Sequence, residues 1–203
     1  MPAKVSMRQS SPVRQRQIIE AARSLIVKYG SEHLTVRRIA KEVEISEAAI
    51  YRHFRNKRQI LAYLIDYIKE SWVNEIEDGF ASGDRSTLEI LESVLRSHFS
   101  AISQRRGISF QVIAEIISFG DKRLNKKALD AISEYVKRVK QLLSQAAEAG
   151  EIKKDVDLDA AANLLFGMVQ GLVNVWALSG YDFDLEQRYT EQWRLLRQVL
   201  VKS

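Results

Sequence analysis

Apolar residues recur at intervals of three and four along most of this chain, the spacing of one face of an α-helix. The clearest short case is the segment 34–57. Its first half carries an apolar stripe formed by Val36, Ile39, Ala40 and Val43. Thr35 precedes this stripe and Ser46 precedes the next, and both residue types are preferred N-caps. The segment therefore predicts two short helices, joined by a tight turn at Glu44 and Ile45.

The second short helix has two unlike sides. Ala49, Ile50 and Phe54 form the side that is expected to be buried. The other side carries small residues at its front and aromatic or basic residues behind, namely Glu47, Ala48, Tyr51, Arg52 and His53. Small side chains let a helix approach base edges in the major groove, while Tyr, Arg and His reach phosphates or bases. This pattern is typical of a DNA-binding helix-turn-helix, but a helical hairpin with a solvated basic face has the same periodicity.

Longer helices are predicted on both sides of this segment. The apolar stripe before it predicts a first helix over 13–29, which Gly30 is suited to end. The stripe after it predicts a helix over 58–77, followed by a break at Gly79 and Gly83. The chain ahead of the first helix is expected to be a flexible tail, whose basic residues could reach DNA.

Beyond that break the pattern predicts four or five further helices. His98 lies beside the apolar face of the first, over 88–102, and is expected to be a core or edge residue rather than a ligand. A short apolar helix is predicted over 107–119 and a long amphipathic one over 121–149. Apolar residues of the long helix form a seam that suits either a buried bundle helix or a dimer contact: Leu129, Ile132, Val136, Val139, Leu143 and Ala146.

Residues 160–181 contain no charged side chain over 22 positions. That length could span a membrane. However, Asn163, Gln170 and Asn174 interrupt the stretch, and its flanks are acidic rather than basic. A helix that is apolar all round is expected to be buried, and we predict that a second copy of the protein covers it. A last helix is predicted over 184–201.

Composition favours an all-α protein with a substantial core. The chain has 203 residues, of which 46% are hydrophobic. Its only prolines are Pro2 and Pro12, so no proline ring interrupts the helices that follow. Cysteine is absent, which excludes disulfides and thiolate metal sites. The three histidines are widely scattered, and no catalytic or metal-binding spacing is present. We therefore expect no enzyme activity, no metal and no cofactor.

The charge of the chain is unevenly distributed. Residues 1–58 hold 13 Lys and Arg against 5 Asp and Glu, which gives +8. Residues 59–203 hold 18 Lys and Arg against 21 Asp and Glu, which gives −3. A basic first segment that leads into a predicted helix-turn-helix indicates that this segment meets a polyanion, and double-stranded DNA is the expected partner.

The string from residue 13 to about residue 68 resembles the DNA-binding domain of the TetR family of bacterial repressors. The pieces that carry the resemblance are IIEAARSLIVKYG, LTVRRIAKEV, ISEAAIYRHFRNK and ILAYLI. It implies a fold of about nine helices, with an N-terminal helix-turn-helix domain over 12–58 and a C-terminal helical ligand-binding and dimerisation domain over 59–203. Residues 1–11 would form the flexible tail and 59–78 a connector helix.

Carried onto this sequence, the family pattern implies nine DNA-contacting residues: Thr35, Arg37, Ser46, Ala48, Ala49, Tyr51, Arg52, His53 and Lys57. The two caps support phosphate contacts, and Arg37 enters the groove. Ala48, Ala49 and Arg52 face base edges, and the remaining three residues hold phosphates. The family often has glycine where this chain has Glu44, so Glu44 is expected to adopt the helix-ending conformation less easily than glycine. Glycine is also frequent where the chain has Ala48.

The resemblance further implies that Asp157–Ser179 and Asp184–Val201 form the dimer interface as a four-helix bundle. The implied interface residues are Leu164, Gly167, Met168, Gly171, Leu172, Val175, Trp193, Leu196 and Leu200. It also implies a small apolar effector held among the middle helices. Its possible wall residues, which would otherwise be plain core, are Phe99, Ile102, Phe110, Ile113, Ile117, Tyr135 and Trp176.

Together these inferences predict a cytoplasmic, nucleoid-associated repressor. It would bind a palindromic operator as a homodimer, leave DNA when the effector binds, and need no membrane. The alternative is a nucleoid-occlusion branch of the same family, which the string SEAAIYRHF also resembles. Such a protein acts on a cell-division partner without a small ligand.

Overall fold

The computed structural model describes residues 11–80 and 86–201, and these residues confirm the predicted all-α class. The described part of the chain contains nine α-helices, a short 3-10 turn at Ser31–His33 and no strand. The helices are α1 (Ser11–Tyr29), α2 (Val36–Glu42), α3 (Glu47–Tyr51), α4 (Lys57–Phe80), α5 (Thr87–Gln104), α6 (Ile108–Phe119), α7 (Lys122–Glu148), α8 (Leu158–Leu178) and α9 (Leu185–Leu200).

Two of the predicted boundaries need correction. Helix α1 already begins at Ser11, because Pro12 in the first turn is compatible with helical φ and has no intrahelical N–H to lose there. The rest of the predicted tail lies outside the described residues. The break predicted at Gly79 was wrong, since α4 continues to Phe80, and Gly83 lies outside the described residues.

The chain forms two compact units, of which the first ends at Leu64 and the second begins at Ile65. In the first unit α2 packs against both α1 and α3. Its core consists of apolar residues that are fully or almost fully buried: Ile18, Ala22, Ile26, Leu34, Ile39, Ile50, Phe54, Ile60, Leu61 and Leu64. Phe54 and Tyr63 meet edge to face, with ring centres 5.1 Å apart. This core holds the two short helices in a fixed relation.

The second unit is a helical bundle. Helix α5 packs on α7 and α9, and α8 packs on the same two helices, while α6 lies against α7 and α8. Ser86 starts α5 with a capping box, in which Ser86 and Glu89 each bond the other's backbone N–H. Glu151 also accepts from the backbone N–H groups of Thr87 and Leu88, at 3.0 and 2.7 Å. These bonds satisfy the free donors at this helix start.

The seam predicted on α7 is only partly the buried face. Leu129 is 61% exposed, and Ile132 and Val136 are half-buried. Val139, Leu143 and Ala146 of the predicted seam are confirmed as buried, and the other buried residues are Leu124, Ala128, Ala131, Tyr135 and Leu142. The stripe through residues 124, 128, 131, 135, 139, 142 and 146 has steps that average close to 3.6 residues, as a straight helix requires, whereas the predicted seam followed a 3.5-residue repeat.

Candidate DNA-binding and interface sites

The two predicted N-caps are confirmed in the first unit. The Thr35 hydroxyl oxygen accepts from the backbone N–H of Arg38 at 3.2 Å, at the start of α2. The Ser46 hydroxyl oxygen accepts from the backbone N–H of Ala49 at 3.1 Å, at the start of α3. Each cap satisfies one of the free donors of a short helix, which has few intrahelical bonds of its own.

The turn between α2 and α3 is a Schellman motif with a non-glycine residue at its left-handed position. Glu44 has φ of 55°. Its N–H donates to the Lys41 carbonyl at 3.2 Å, and the Ile45 N–H donates to the Ala40 carbonyl at 2.9 Å. These are the two bonds that define the motif. Glu44 therefore adopts the left-handed backbone conformation, as expected. For a residue with a side chain this conformation costs about 1 kcal/mol relative to glycine.

Helix α3 turns a single side to the core. Ile50 is fully buried, whereas Glu47, Ala48, Tyr51 and Arg52 are exposed. Ala49 is half-buried, so it lies at the border between the two sides. The structure therefore offers the small and basic residues of α3 to the solvent on a rigid support.

The other predicted DNA contacts lie at the edges of the same unit. Arg37 and Thr35 are exposed, and they share a concave surface of about 610 Å³ with Glu47. His53 is half-buried, and its Nδ1 lies 3.3 Å from the Ser11 hydroxyl. Lys57 is half-buried at the first position of α4.

Two cations of α2 that were not among the predicted contacts lie on the same surface. Lys41 is exposed, and Arg38 lies with its guanidinium 5.5 Å from the centre of the Tyr29 ring. Both line the concave surface with Arg37. Their place in the sequence could have indicated this, since residues 37, 38 and 41 all follow the confirmed Thr35 cap within two turns of the same helix.

The start of α4 is also capped. Asn56 Oδ1 accepts from the Gln59 backbone N–H at 3.1 Å. In return Gln59 Oε1 accepts from the Arg55 backbone N–H at 2.7 Å. This reciprocal arrangement fixes the basic segment that follows α3 and holds Lys57 at a helix N-terminus, where the helix dipole favours anions.

In the second unit, α8 and α9 form an apolar groove with a volume of about 780 Å³. Four apolar residues along it are 58% to 66% exposed, namely Leu164, Val175, Leu195 and Val199. A Cβ atom added at Gly167 or Gly171 would meet no described atom within 4 Å. Contiguous exposed apolar surface is a feature that interaction sites often have.

The structure sorts the residues predicted for the dimer interface into two groups. Seven of them line the groove: Leu164, Gly167, Met168, Gly171, Leu172, Val175 and Leu196. Trp193 and Leu200 are 3% and 1% exposed and belong to the core of their own chain. Leu195 and Val199, which were not in the predicted set, also line the groove and continue a second stripe on α9 that starts at Arg188 and Gln192.

Helix α8 is also long and apolar enough to cross a bilayer. Its most apolar 18 residues have a mean hydropathy of 1.4, and 39% of them are buried. No other helix of the described residues passes that test. Its buried side packs against α7 and α9.

The residues predicted to line an effector pocket differ in their exposure. Phe99, Ile102, Phe110, Tyr135 and Trp176 are at most 7% exposed, Ile113 is half-buried and Ile117 is 69% exposed. Phe99 stacks on Tyr189 with ring centres 4.3 Å apart. Trp176 instead lies at the α8–α9 corner, where its Nε1 donates to the Phe183 carbonyl at 3.0 Å.

A buried polar network in the second unit was not predicted. Oε1 of Glu75 accepts from the Ser71 hydroxyl and from Arg105 Nη1, each at 3.0 Å. Oε2 of Glu75 bonds Nδ1 of His98, which is 4% exposed and thus confirmed as a core residue. Burial alone would raise the pKa of Glu75. The His98 bond and charge outweigh this effect, with help from Ser71 and Arg105, and lower the pKa below its usual value.

No group of three or more His, Cys, Asp or Glu side chains in the described ranges could hold a metal ion.

Comparison with known proteins gives two matching sequence profiles. Residues 18–64 match the profile of bacterial regulatory proteins of the tetR family. Residues 58–199 match the profile of the C-terminal region of YsiA-like proteins. Together the two profiles cover both units.

Known relatives match over almost their whole length. A fatty acid metabolism regulator protein of Bacillus subtilis is 26% identical over 179 residues, which are 88% of this chain and 91% of the relative. The nucleoid occlusion factor SlmA of Shewanella pealeana is 24% identical over 190 residues, or 94% of this chain and 96% of the relative. The structure of the regulator FadR from Bacillus subtilis in complex with stearoyl-CoA has a TM-score of 0.79, at 24% identity, and covers 91% of this chain and 98% of that one.

Proposed function

This chain belongs to the TetR family of bacterial DNA-binding transcriptional regulators, and we propose that it is a repressor that binds a palindromic operator as a homodimer. An effector with a long apolar chain would release it from DNA. In this proposal the DNA-binding domain spans 12–58, and the regulatory and dimerisation domain spans 59–203. The protein would act in the cytoplasm, on the nucleoid.

The exposed side of α3 is the observation that carries the proposal. Ala48 leaves room for close approach to base edges, and Arg52 can pair with a guanine through two hydrogen bonds. Tyr51, His53 and Lys57 would hold phosphates around that contact, and Ala49 would touch the groove at the border of the helix. Thr35, Arg37 and Ser46 would place the start of each short helix against the DNA backbone.

We expect a dimer because a single α3 can contact too few base pairs to recognise an operator. One helix in the groove contacts only a few base pairs, whereas two copies on a two-fold axis read two half-sites about 34–36 Å apart or a multiple of that. The groove between α8 and α9 supports this proposal, because its exposed apolar residues need a cover and its two glycines permit close helix approach. The cover would be the same groove of a second copy.

The effector is proposed from the relatives. The Bacillus subtilis FadR structure contains stearoyl-CoA, and the curated relative of similar length is a fatty acid metabolism regulator. We therefore place an acyl chain among the middle helices of the second unit. The acyl chain would lower the affinity for DNA because it binds more tightly to the DNA-free state of the repressor than to the DNA-bound state. Such a difference in ligand affinity is the condition for any switch of this kind.

The nucleoid-occlusion reading remains as a second candidate, because the SlmA relative matches 94% of this chain. In that case the DNA-bound protein would act on a cell-division partner and would need no small ligand. The dimer and the DNA contacts would be the same, so the two candidates differ in where the protein binds and in what it responds to.

Selection of bound fragments from genomic DNA tests both candidates in one experiment. The repressor proposal expects one or a few palindromic sites, lying in promoters and including genes of acyl-chain metabolism. Many copies of the site spread around the chromosome would favour the second candidate. Fragments without a shared inverted repeat would contradict the proposal as a whole.

A further inference from the structure

The concave surface of the first unit carries one side chain whose charge opposes DNA binding. Arg37, Arg38 and Lys41 line this surface together with Glu47, and all four residues are exposed. Phosphates repel a carboxylate, so Glu47 weakens the general attraction that the three cations provide. A surface that had only to hold the DNA backbone would not need this negative charge.

The carboxylate of Glu47 is not neutralised by these neighbours. Within residues 11–80 and 86–201 it has no hydrogen-bond or ion-pair partner, although three cations line the same surface. Arg38 instead lies against Tyr29, with its guanidinium 5.5 Å from the ring centre. The Glu47 carboxylate is therefore available to bond a group from outside the chain.

The start of α3 fixes where this carboxylate lies. Glu47 is the first residue of α3 and directly follows the Ser46 cap, whose hydroxyl oxygen accepts from the Ala49 N–H at 3.1 Å. The next two side chains, of Ala48 and Ala49, are too short to keep the carboxylate away from a base edge. When α3 lies in the major groove, as proposed above, Glu47 reaches base edges as well as the backbone.

The chemistry of a carboxylate limits which base it can bond. An ionised carboxylate only accepts hydrogen bonds, and the phosphates offer it no donor. In the major groove the donors are the N4 amino group of cytosine and the N6 amino group of adenine. Adenine presents its N7 acceptor beside that amino group, and this acceptor repels a carboxylate. Cytosine presents no acceptor of its own in the groove, so it is the base that suits Glu47.

We propose that Glu47 reads a cytosine in each half-site of the operator, by accepting a hydrogen bond from its N4 amino group. The inference rests on the proposed function, which places α3 in the major groove. It specifies the operator further, since each half-site must have a C·G pair where the start of α3 reaches the bases. The same charge repels DNA that lacks this amino group. Glu47 therefore stabilises the correct complex and weakens the others, and both effects increase specificity.

Selection of bound duplexes from a randomised pool tests the inference with the full-length protein. Wild type should enrich cytosine at one fixed position of each half-site. Glu47→Gln should enrich adenine there instead, because a glutamine amide bonds N6 and N7 of adenine together. Glu42→Gln is the matched control, since it removes the same charge at an exposed position that does not line the concave surface. This control should select the same sequences as wild type.

A double-mutant cycle measures the proposed hydrogen bond itself. In the selected duplex the cytidine is replaced by deoxyzebularine, an analogue that lacks only the N4 amino group. This change should lower the affinity of wild type by about fivefold or more, as one mismatched base pair does, and should have little effect on Glu47→Ala.

Glu47→Ala should also bind scrambled DNA about two- to fivefold more tightly than wild type, because a negative charge near the phosphates has been removed. A folding defect in either Glu47 variant would lower the affinity for every duplex by the same factor. It would therefore leave the base preferences and the ratios of the cycle unchanged.

The outcomes separate this inference from the function on which it rests. If wild type selects an inverted repeat and Glu47→Gln selects the same bases, the inference is overturned and the repressor proposal stands. Equal losses of wild type and Glu47→Ala on the deoxyzebularine duplex overturn it as well. If wild type selects no shared sequence, the proposed reading of DNA by α3 fails, and the inference fails with it.

Discussion

The guanidinium of Arg106 lies 5.3 Å from the centre of the Tyr181 ring, and both residues have left-handed backbone conformations. Their φ angles are 49° and 68°. Arg106 belongs to the α5–α6 corner and Tyr181 to the α8–α9 corner. Gln111 bridges them, since its Nε2 donates to the Arg106 carbonyl at 3.0 Å and to the Tyr181 hydroxyl at 3.1 Å. Two strained corners are thus held against each other.

This relationship predicts an unusual order of stabilities at Tyr181. Tyr181→Ala keeps the left-handed strain and loses the ring contacts to Arg106 and Trp176, so it should be clearly destabilised. Tyr181→Gly loses the same contacts but adopts this φ freely, and it should be more stable than the alanine variant by about 1 kcal/mol. Urea unfolding of both variants measures the difference. An alanine variant that is the more stable of the two would show that the backbone at this corner is not strained.

The Schellman turn gives a prediction for the DNA-binding unit. Glu44→Gly should raise the free energy of unfolding by about 0.5–1 kcal/mol, because glycine is the residue best suited to the left-handed position. Glu42→Gly is the matched control, since Glu42 is the last residue of α2 and has ordinary helical geometry. That control should be destabilised by about 0.5–1 kcal/mol. Thermal unfolding followed by circular dichroism measures both, and a loss of stability in Glu44→Gly would contradict the argument.

Phosphate and base contacts should respond differently to substitution. Lys57→Ala should weaken binding to all DNA sequences and reduce the slope of log K against log salt by about 0.9. Arg52→Ala should cost about 1–3 kcal/mol at the operator and relax the preference at one base pair. Titrations of operator and scrambled fragments at several salt concentrations measure both effects. If Arg52→Ala lowered the affinity for operator and scrambled DNA equally, Arg52 would not be a residue that reads a base.

The groove between α8 and α9 predicts which exposed leucine matters for assembly. Leu195→Glu should shift the protein towards monomers and weaken operator binding, because a buried unpaired charge in the dimer is costly. Leu129→Glu is the control, since Leu129 is 61% exposed on α7 and does not line the groove. Sedimentation velocity measures the assembly state of both variants. Dissociation of the Leu129 variant alone would place the interface elsewhere.

The Glu75 network predicts a pH dependence of stability. The pKa of Glu75 is lowered in the folded state, so its contribution is present above the unfolded-state pKa of about 4.3 and is lost as the pH falls towards the folded-state value. The free energy of unfolding of wild type minus that of Glu75→Gln should therefore shrink as the pH falls below about 4.3. Urea unfolding at a series of pH values measures it. A difference that stays constant down to pH 3 would contradict the ionised state of Glu75.

Local chemistry made much of the fold predictable from the sequence. Thr35 and Ser46 are caps because hydroxyl oxygens satisfy the first free N–H groups of a helix, whatever the rest of the chain does. The left-handed position of Glu44 was instead expected from the resemblance, because the TetR family often has glycine there. The bounds that the resemblance implied for the last two helices lie within about a residue of the observed ones, and in the structure Asp157 and Asp184 cap these helices.

Features that depend on contacts between distant helices could not be predicted in this way. The buried face of α7 includes Ala128 and Ala131, whose small side chains give little signal in an apolar pattern. Glu75 and His98 are 23 residues apart and meet only when α4 packs near α5. The contact between Arg106 and Tyr181 joins two corners that are 75 residues apart along the chain. In each case packing, rather than local propensity, decides the outcome.

The stoichiometry of the complex with a minimal operator tests the central claim most directly. Sedimentation equilibrium should give the mass of the DNA plus an even number of 23.3 kDa chains on a fragment with both half-sites. Deleting one half-site should abolish tight binding of both copies. A single chain that binds one half-site as tightly as the intact operator would contradict the proposal that two copies of α3, held by the α8–α9 faces, read the DNA together.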